Sequence, residues 1–331
     1  MLGCMLAFTT AFALAGCATQ DYKPQEKSPT VAPDTIIEAG VLRVGVTAEN
    51  NTPFAGQASG RIVGLDVDIA AALADNLGLK LEIVDVGTDV DAALANKQVD
   101  IVMGVDKTST QVACWRSEVY VESAVALFAP PSTTAVPTKD SAPTIAAQSS
   151  SMSAWEVTNQ YGEDVLKATS DLKSAFQDAS SGAAGYAAAD AVIGTYAAHT
   201  SDIDVHIVAL MQNPSGYSIG VLDTNTELKT AVSDALASLS GSGVISIIES
   251  KWLGSALDVS DVPMTEGATR STNTETPNAD AANANDEDET ATNDGANNQE
   301  NAASSPDANS SGQESEPGSN AVQQPGTQNA A

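Results

Sequence analysis

An α/β fold with a mainly parallel sheet is the class this sequence predicts, on three observations. β-rich runs alternate with helical stretches between about residues 36 and 105. A second alternating set follows between residues 144 and 193. Compositional shifts near Val125–Pro131 and Leu210–Gly216 bracket that second set. Strands alternating with helices build a parallel sheet covered on both faces.

The strongest element is Gly64–Leu77. Ile69, Leu73 and Leu77 recur every four residues and share one face of a helix. Asp66 or Asp68 supplies a cap at its start, and Gly78 stands where a left-handed C-terminal cap is wanted. Upstream, Leu42–Thr47 is a short β-rich run followed by a Gly- and Asn-rich loop. Downstream, Leu79–Val86 alternates apolar and polar residues as a strand does. Asp91–Asn96 is helical in character and Asp100–Val105 reads as a buried strand. In the second set, Thr144–Gln148 and Ala188–Ile193 read as strands, Trp155–Tyr161 and Leu172–Ala179 as helices. Leu228, Val232, Leu236 and Leu239 carry the spacing of a further amphipathic helix.

The two ends differ from this body. Residues 18–35, with Pro24, Pro29 and Pro33 among polar residues, read as an extended tether. Residues 261–331 are assigned to a tail, which from Thr265 to Ala331 is Asn, Ala, Ser, Glu, Gln and Pro with almost no large apolar side chain. Such a stretch buries too little surface to offset its ordering entropy, so a disordered acidic tail is expected. Asp and Glu number 43 against 14 Lys and Arg, for a net charge of −29. That balance excludes a basic patch for nucleic acid or an anionic membrane. The apolar run Met5–Leu14 leads into Leu14-Ala15-Gly16-Cys17, which resembles a bacterial lipobox. The resemblance implies that residues 1–17 are a signal peptide ending at a lipidated Cys17, a membrane anchor, although Met1–Met5 carries no Lys or Arg. With Cys4 removed and Cys17 lipidated, Cys114 has no partner for an intrachain disulfide and reads as a small buried side chain.

As a string, Gly64-Leu65-Asp66-Val67-Asp68-Ile69, three free positions, Leu73-Ala74, two free positions and Leu77 resembles the signature of the family 3 extracellular solute-binding proteins. Those are polar-amino-acid receptors of ABC importers. Leu42–Thr47 with Pro53-Phe54, the run Ala92–Gly104, and Glu227–Trp252 closing in Lys251-Trp252-Leu253-Gly254 extend the similarity from Ile36 to about Leu253. The resemblance implies a two-lobe type 2 periplasmic-binding-protein fold. Residues 36–128 would begin lobe one, 129–213 would form lobe two and 214–260 would return, the two crossings making the hinge. It further implies a monomeric receptor without cofactor, passing a small polar solute to permease subunits.

In that family an Arg grips the ligand carboxylate and a lobe-two Asp takes its ammonium. Counting from the motifs places Gln111 at the Arg position, with Thr110 the other candidate and Arg116 the nearest arginine. Thr195 falls at the Asp position, and Asn51 with Phe54 in the first ligand-facing loop. Thr108 lies in the same stretch as Gln111, and Ser151 at a helix start where free N–H groups receive an anion or oxygen. Asp106, at the C-terminal end of a predicted strand, is a compensating carboxylate suited to an amine-bearing ligand, with Glu49 a weaker candidate. His199 and His206 are the only histidines and read as packing or surface residues. No metal-spaced Cys/His cluster, phosphate loop or nucleophile elbow points to catalysis. A sensor on the same fold, and a cyclohexadienyl dehydratase-like enzyme, are the alternatives.

Overall fold

The structure, a computed structural model, describes residues 27–108 and 113–268. The proposed signal peptide with Cys17, the stretch containing Thr110 and Gln111, and the acidic tail beyond residue 268 lie outside the described residues.

The first lobe holds β1 (Val41–Val46), a separate small hairpin of β2 (Gly56–Ala58) and β3 (Arg61–Val63), then α1 (Leu65–Asn76), β4 (Lys80–Asp85), α2 (Val90–Ala95), β5 (Ile101–Asp106) and β6 (Trp115–Ser123). It then enters a second sheet through β7 (Val125–Ala129), β8 (Ile145–Gln148), α3 (Met152–Tyr161), β9 (Leu166–Thr169), α4 (Leu172–Ser181), β10 (Tyr186–Asp190), α5 (Ala191–Ser201) and β11 (His206–Leu210). Finally β12 (Ser215–Val221), α6 (Thr226–Gly241) and α7 (Val244–Leu253) return to the first. The strand orders are β4-β1-β5-β12-β6 and β11-β7-β10-β8-β9. β1 runs parallel to β4 and β5, while the returning β12 inserts antiparallel between β5 and β6. This is the two-lobe α/β architecture that the resemblance implies.

The crossings differ in detail from the expected boundaries. β6 and β7 are separated only by Ala124 yet belong to different sheets, so the first crossing comes before β7 rather than after residue 128. β7 is an all-buried Val-Ala-Leu-Phe-Ala run, and pairing with both β10 and β11 holds it in lobe two. The return lies between Leu210 and Ser215.

Residues 28–35 are not a free tether. Thr30 N–H donates to Leu77 O (3.0 Å), Ala32 N–H to Glu227 Oε1 (3.1 Å), and Val31 is buried in the lobe-one core. Gly78 (φ +70°) takes the left-handed conformation expected of it, and a Cβ there would lie 2.4 Å from Ser28 O, so the close approach of this N-terminal segment also requires glycine.

Residues 261–268 are likewise packed. Leu210 N–H donates to Pro263 O (2.8 Å) and Thr265 N–H to Leu210 O (2.9 Å), which adds a short parallel bridge to the β11 edge. Val259 is fully buried in the lobe-two core. The chain therefore crosses between lobes a third time, from α7 in lobe one to this strap on lobe two.

The helix Leu65–Asn76 forms as its periodicity predicts, with Ile69 and Leu73 fully buried. Neither aspartate caps it: Gly64 occupies the N-cap and no side chain bonds there. Asp66 turns into the core, where Tyr120 O–H donates to its Oδ1 (2.6 Å) and Gly104 N–H donates to Tyr120 Oη (2.9 Å). Burial without a cation pushes the Asp66 carboxyl up to about 7. Asp68 instead accepts from Trp252 Nε1 (2.6 Å) and Lys251 Nζ (2.5 Å), tying α1 to α7. The helices near Leu228–Leu239 and Lys251–Leu253 form as α6 and α7.

Candidate functional site

The C-terminal ends of the parallel strands β5, β8 and β10 meet near the crossings, the place where open α/β sheets hold ligands. A cavity of about 410 Å³ lies there. Lobe one supplies Asp106 from the end of β5, Ser123 from the end of β6 and Tyr217 from β12. Lobe two supplies Asp190 from the end of β10, Gln148 from the end of β8, and Ser151 to Ser153 from the start of α3. Register brings these together, since Tyr217 pairs with Asp106 and Ser215 with Ser123 across β12.

Asp190 is built into the junction of β10 and α5. Its Oδ1 accepts from Val192 N–H (3.0 Å) and Ile193 N–H (2.9 Å), capping α5, and its Oδ2 accepts from Ser123 Oγ (2.6 Å) across the crossing. Burial raises the Asp190 carboxyl above the usual carboxylate range, and these three hydrogen bonds only partly offset it. This cap also corrects the strand expected over Ala188–Ile193. The strand ends at Asp190, because its carboxylate satisfies the first amides of a helix.

Asp106 is exposed toward the cleft. Its Oδ1 accepts from Thr108 N–H and Thr108 Oγ1 (both 2.7 Å). Tyr217 stands between the two lobes, its ring 4.3 Å from that of Phe54. Its phenol is pushed well above the ordinary value by burial first, then by the negative charges of Asp190, Asp66 and Asp106. The cation nearest in sequence, Lys107, is turned onto β6, donating to Ser117 O (2.6 Å) with Glu118 Oε1 at 3.9 Å. Among the described residues that line the cavity, two are aspartates and none is Lys or Arg.

The candidates read from sequence divide accordingly. Asp106 and Ser151 line the cavity; Ser151 Oγ also caps α3 by accepting from Ala154 N–H (3.0 Å). Thr108 acts on Asp106 rather than lining the cavity. Phe54 is 2% exposed and belongs to the lobe-one core, where its bulk gains more from burial than from facing solvent. Asn51 Nδ2 donates to Thr47 O (3.0 Å), fastening its own loop, and Glu49 is exposed outside the cavity. Thr195 faces a separate depression behind α5, with Phe128, His199 and His206, because α5 starts at Ala191 and turns it away. Arg116 pairs with Gly220 at the far end of β6, seven residues from Ser123 and so about 23 Å along the strand. The sequence motifs single out none of Tyr217, Ser123 and Gln148, and Asp190 enters only as the strand-end residue from which Thr195 is counted. The signal available for Asp190 was an acid directly before a helix-forming stretch, the place of an N-cap.

Comparison with known proteins fits this geometry. Residues 42–255 match the bacterial extracellular solute-binding proteins, family 3. The chain belongs to that family. No curated protein sequence matches it. Among solved structures, the unliganded, open L-cystine solute receptor of Neisseria gonorrhoeae is similar, with 22% identity, a TM-score of 0.58, and coverage of 66% of this chain and 94% of that one. A polar amino acid ABC uptake transporter substrate-binding protein from Streptococcus thermophilus gives 18% identity, a TM-score of 0.58, and coverage of 66% and 87%. An ancestral cationic amino acid solute-binding protein gives 23%, 0.55, and 65% and 96%. These likenesses establish the type 2 periplasmic-binding fold for this family 3 chain.

Proposed function

We propose that this protein is the receptor of an ABC-type importer, anchored outside the cell membrane by lipid on Cys17. It binds a small polar, amine-bearing solute between its lobes and hands it to permease subunits. The observation that carries the reading is a cavity bounded by both lobes in which Asp190 and Asp106 present carboxylates across the crossings. Membership of an extracellular solute-binding family supports the location and the binding role. A lobe-two acid for an ammonium group, expected at Thr195, is on this reading supplied by Asp190.

Solute entry brings Ser123, Tyr217 and Asp106 of lobe one onto the same molecule as Asp190 and Ser151 of lobe two. Contacts made only when the lobes approach favour the closed state by their own free energy. Closure is then the signal a permease reads. Nothing in this role consumes the solute, which returns unchanged.

A thermal-shift screen of amines and amino acids tests binding. Recovery of the intact solute by mass spectrometry tests for turnover. A stabilising solute recovered unchanged is the expected result; a solute converted to product overturns the receptor reading. Mass spectrometry of the mature N-terminus tests the anchor, with a diacylated Cys17 expected and an unmodified Met1 contradicting it.

A further inference from the structure

We infer that the inter-lobe site selects a diammonium solute lacking a carboxylate, an alkane-α,ω-diamine, one nitrogen on Asp190 and the other on Asp106. The inference rests on the receptor reading and names its ligand class.

Charge decides it. The cavity presents two carboxylates from opposite lobes and, among its described lining residues, no cationic side chain. The stretch Ser109-Thr110-Gln111-Val112 contains no Lys or Arg either. Lys107, beside Asp106 in sequence, is bound to Ser117 O and Glu118 on β6. An α-amino acid would bring its own carboxylate into that field. The positive element within the cavity is the start of α3, a helix of 10 residues. A helix N-terminus offers about half an elementary charge, against two full negative ones. A dication neutralises the site, whereas a basic amino acid leaves it negative.

The lobe-two wall of the cavity suits methylenes. On lobe two, Met152 is 65% exposed, Ile193 is 37% exposed, and both line the cavity with Leu172. Large apolar side chains left open to solvent at a cleft, flanked by polar groups, are where a ligand's apolar part is covered. Both acids also have room to act. Asp106 Oδ1 is held by Thr108, and its Oδ2 takes no hydrogen bond among the described residues. Asp190 Oδ2 accepts one hydrogen bond, from Ser123, and a carboxylate oxygen takes two.

The test compares 1,5-diaminopentane with L-lysine, which is the same diamine bearing a carboxylate. Isothermal titration on the full mature chain should show 1,5-diaminopentane at least tenfold tighter than L-lysine. Asp190→Asn and Asp106→Asn should each weaken the diamine roughly ten- to a hundredfold, the loss expected from one charge-assisted hydrogen bond. Asn caps a helix as well as Asp does, so Asp190→Asn retains its α5 cap. Circular dichroism of both variants identifies any that fails to fold. In that case Asp190→Glu and Asp106→Glu, which keep the charge, must bind more tightly than the corresponding Ala variants. L-lysine binding as tightly as the diamine, or diamine binding indifferent to Asp106→Asn, overturns this inference and leaves the receptor reading intact. Failure of every amine and amino acid to bind overturns both.

Discussion

Asp66→Asn tests how the signature helix is tied into lobe one. Asp66 is 1% exposed and has Tyr120 O–H as its side-chain donor, with no cation beside it. Its carboxyl is raised from 3.8 to about 7 by burial. A folded-state value above the unfolded one contributes stability that is full below the unfolded value and is lost as pH rises through the folded one. The shift is about 3 units at ~1.36 kcal/mol each, so roughly 4 kcal/mol should disappear between pH ~4 and ~7. Asn carries no titrating proton, and its side-chain oxygen still accepts from Tyr120 O–H. Asp66→Asn should therefore gain on wild type as pH rises, by about 8–16 °C in Tm across that window for a body of this size. Thermal melts of both proteins at half-unit steps from pH 4.5 to 8 measure the difference. Glu249, buried on α7 and raised to about 7 by the same cause, titrates in the same window, but it does so in both proteins and cancels. Two parallel Tm-versus-pH curves would mean that Asp66 ionises without cost in the folded protein.

Other consequences follow from packing and from the site. Gly194→Ala should destabilise the protein by chemical denaturation, although alanine in a helix is ordinarily favoured over glycine by about 1 kcal/mol, because its Cβ would lie 2.5 Å from Phe128 Cζ. A gain in stability would mean that α5 rides higher over β7 than the structure has it. Ending the chain after Ala268 should leave Tm unchanged, whereas ending it after Gly254 should lower it by several degrees, since Val259 and Thr265 are buried against lobe two; equal melts for the two truncations would contradict the strap. Affinity for an amine should fall as pH drops through the raised carboxyl of Asp190, and Ser123→Ala, which removes a hydrogen bond favouring its charged form, should move that fall to higher pH. A binding profile unmoved by Ser123→Ala would remove Asp190 from the site.

Much of lobe one was legible because its elements are periodic and local. Ile69 and Leu73 mark a helix face in any context, and Asp100–Val105 is apolar enough to be central in a sheet. What escaped depends on tertiary partners. Asp66 and Asp68 look alike as first-turn acids, yet one finds Tyr120 and the other Trp252, more than fifty residues away. Residues 28–35 are mostly polar and 255–268 show no helical or strand periodicity, and both are held by backbone hydrogen bonds, to Leu77 and Leu210, that local pattern does not reveal. The site followed the same division. Asp106 was visible as a strand-end acid. Asp190 sits in an alanine-rich run whose β-like residues continue to Ile193, which masks the strand end, and counting along the family motif points to Thr195 instead. The motif points Phe54 at the ligand, whereas the lobe-one core takes it.

On the receptor reading, solute bound between the lobes draws them together. Small-angle scattering of the full mature chain, alone and saturated with whichever of 1,5-diaminopentane and L-lysine binds more tightly, tests it directly. A smaller radius of gyration is expected with solute, and a smaller decrease for Asp190→Asn at the solute concentration that just saturates the wild-type protein. An unchanged radius for the saturated wild-type protein would contradict it.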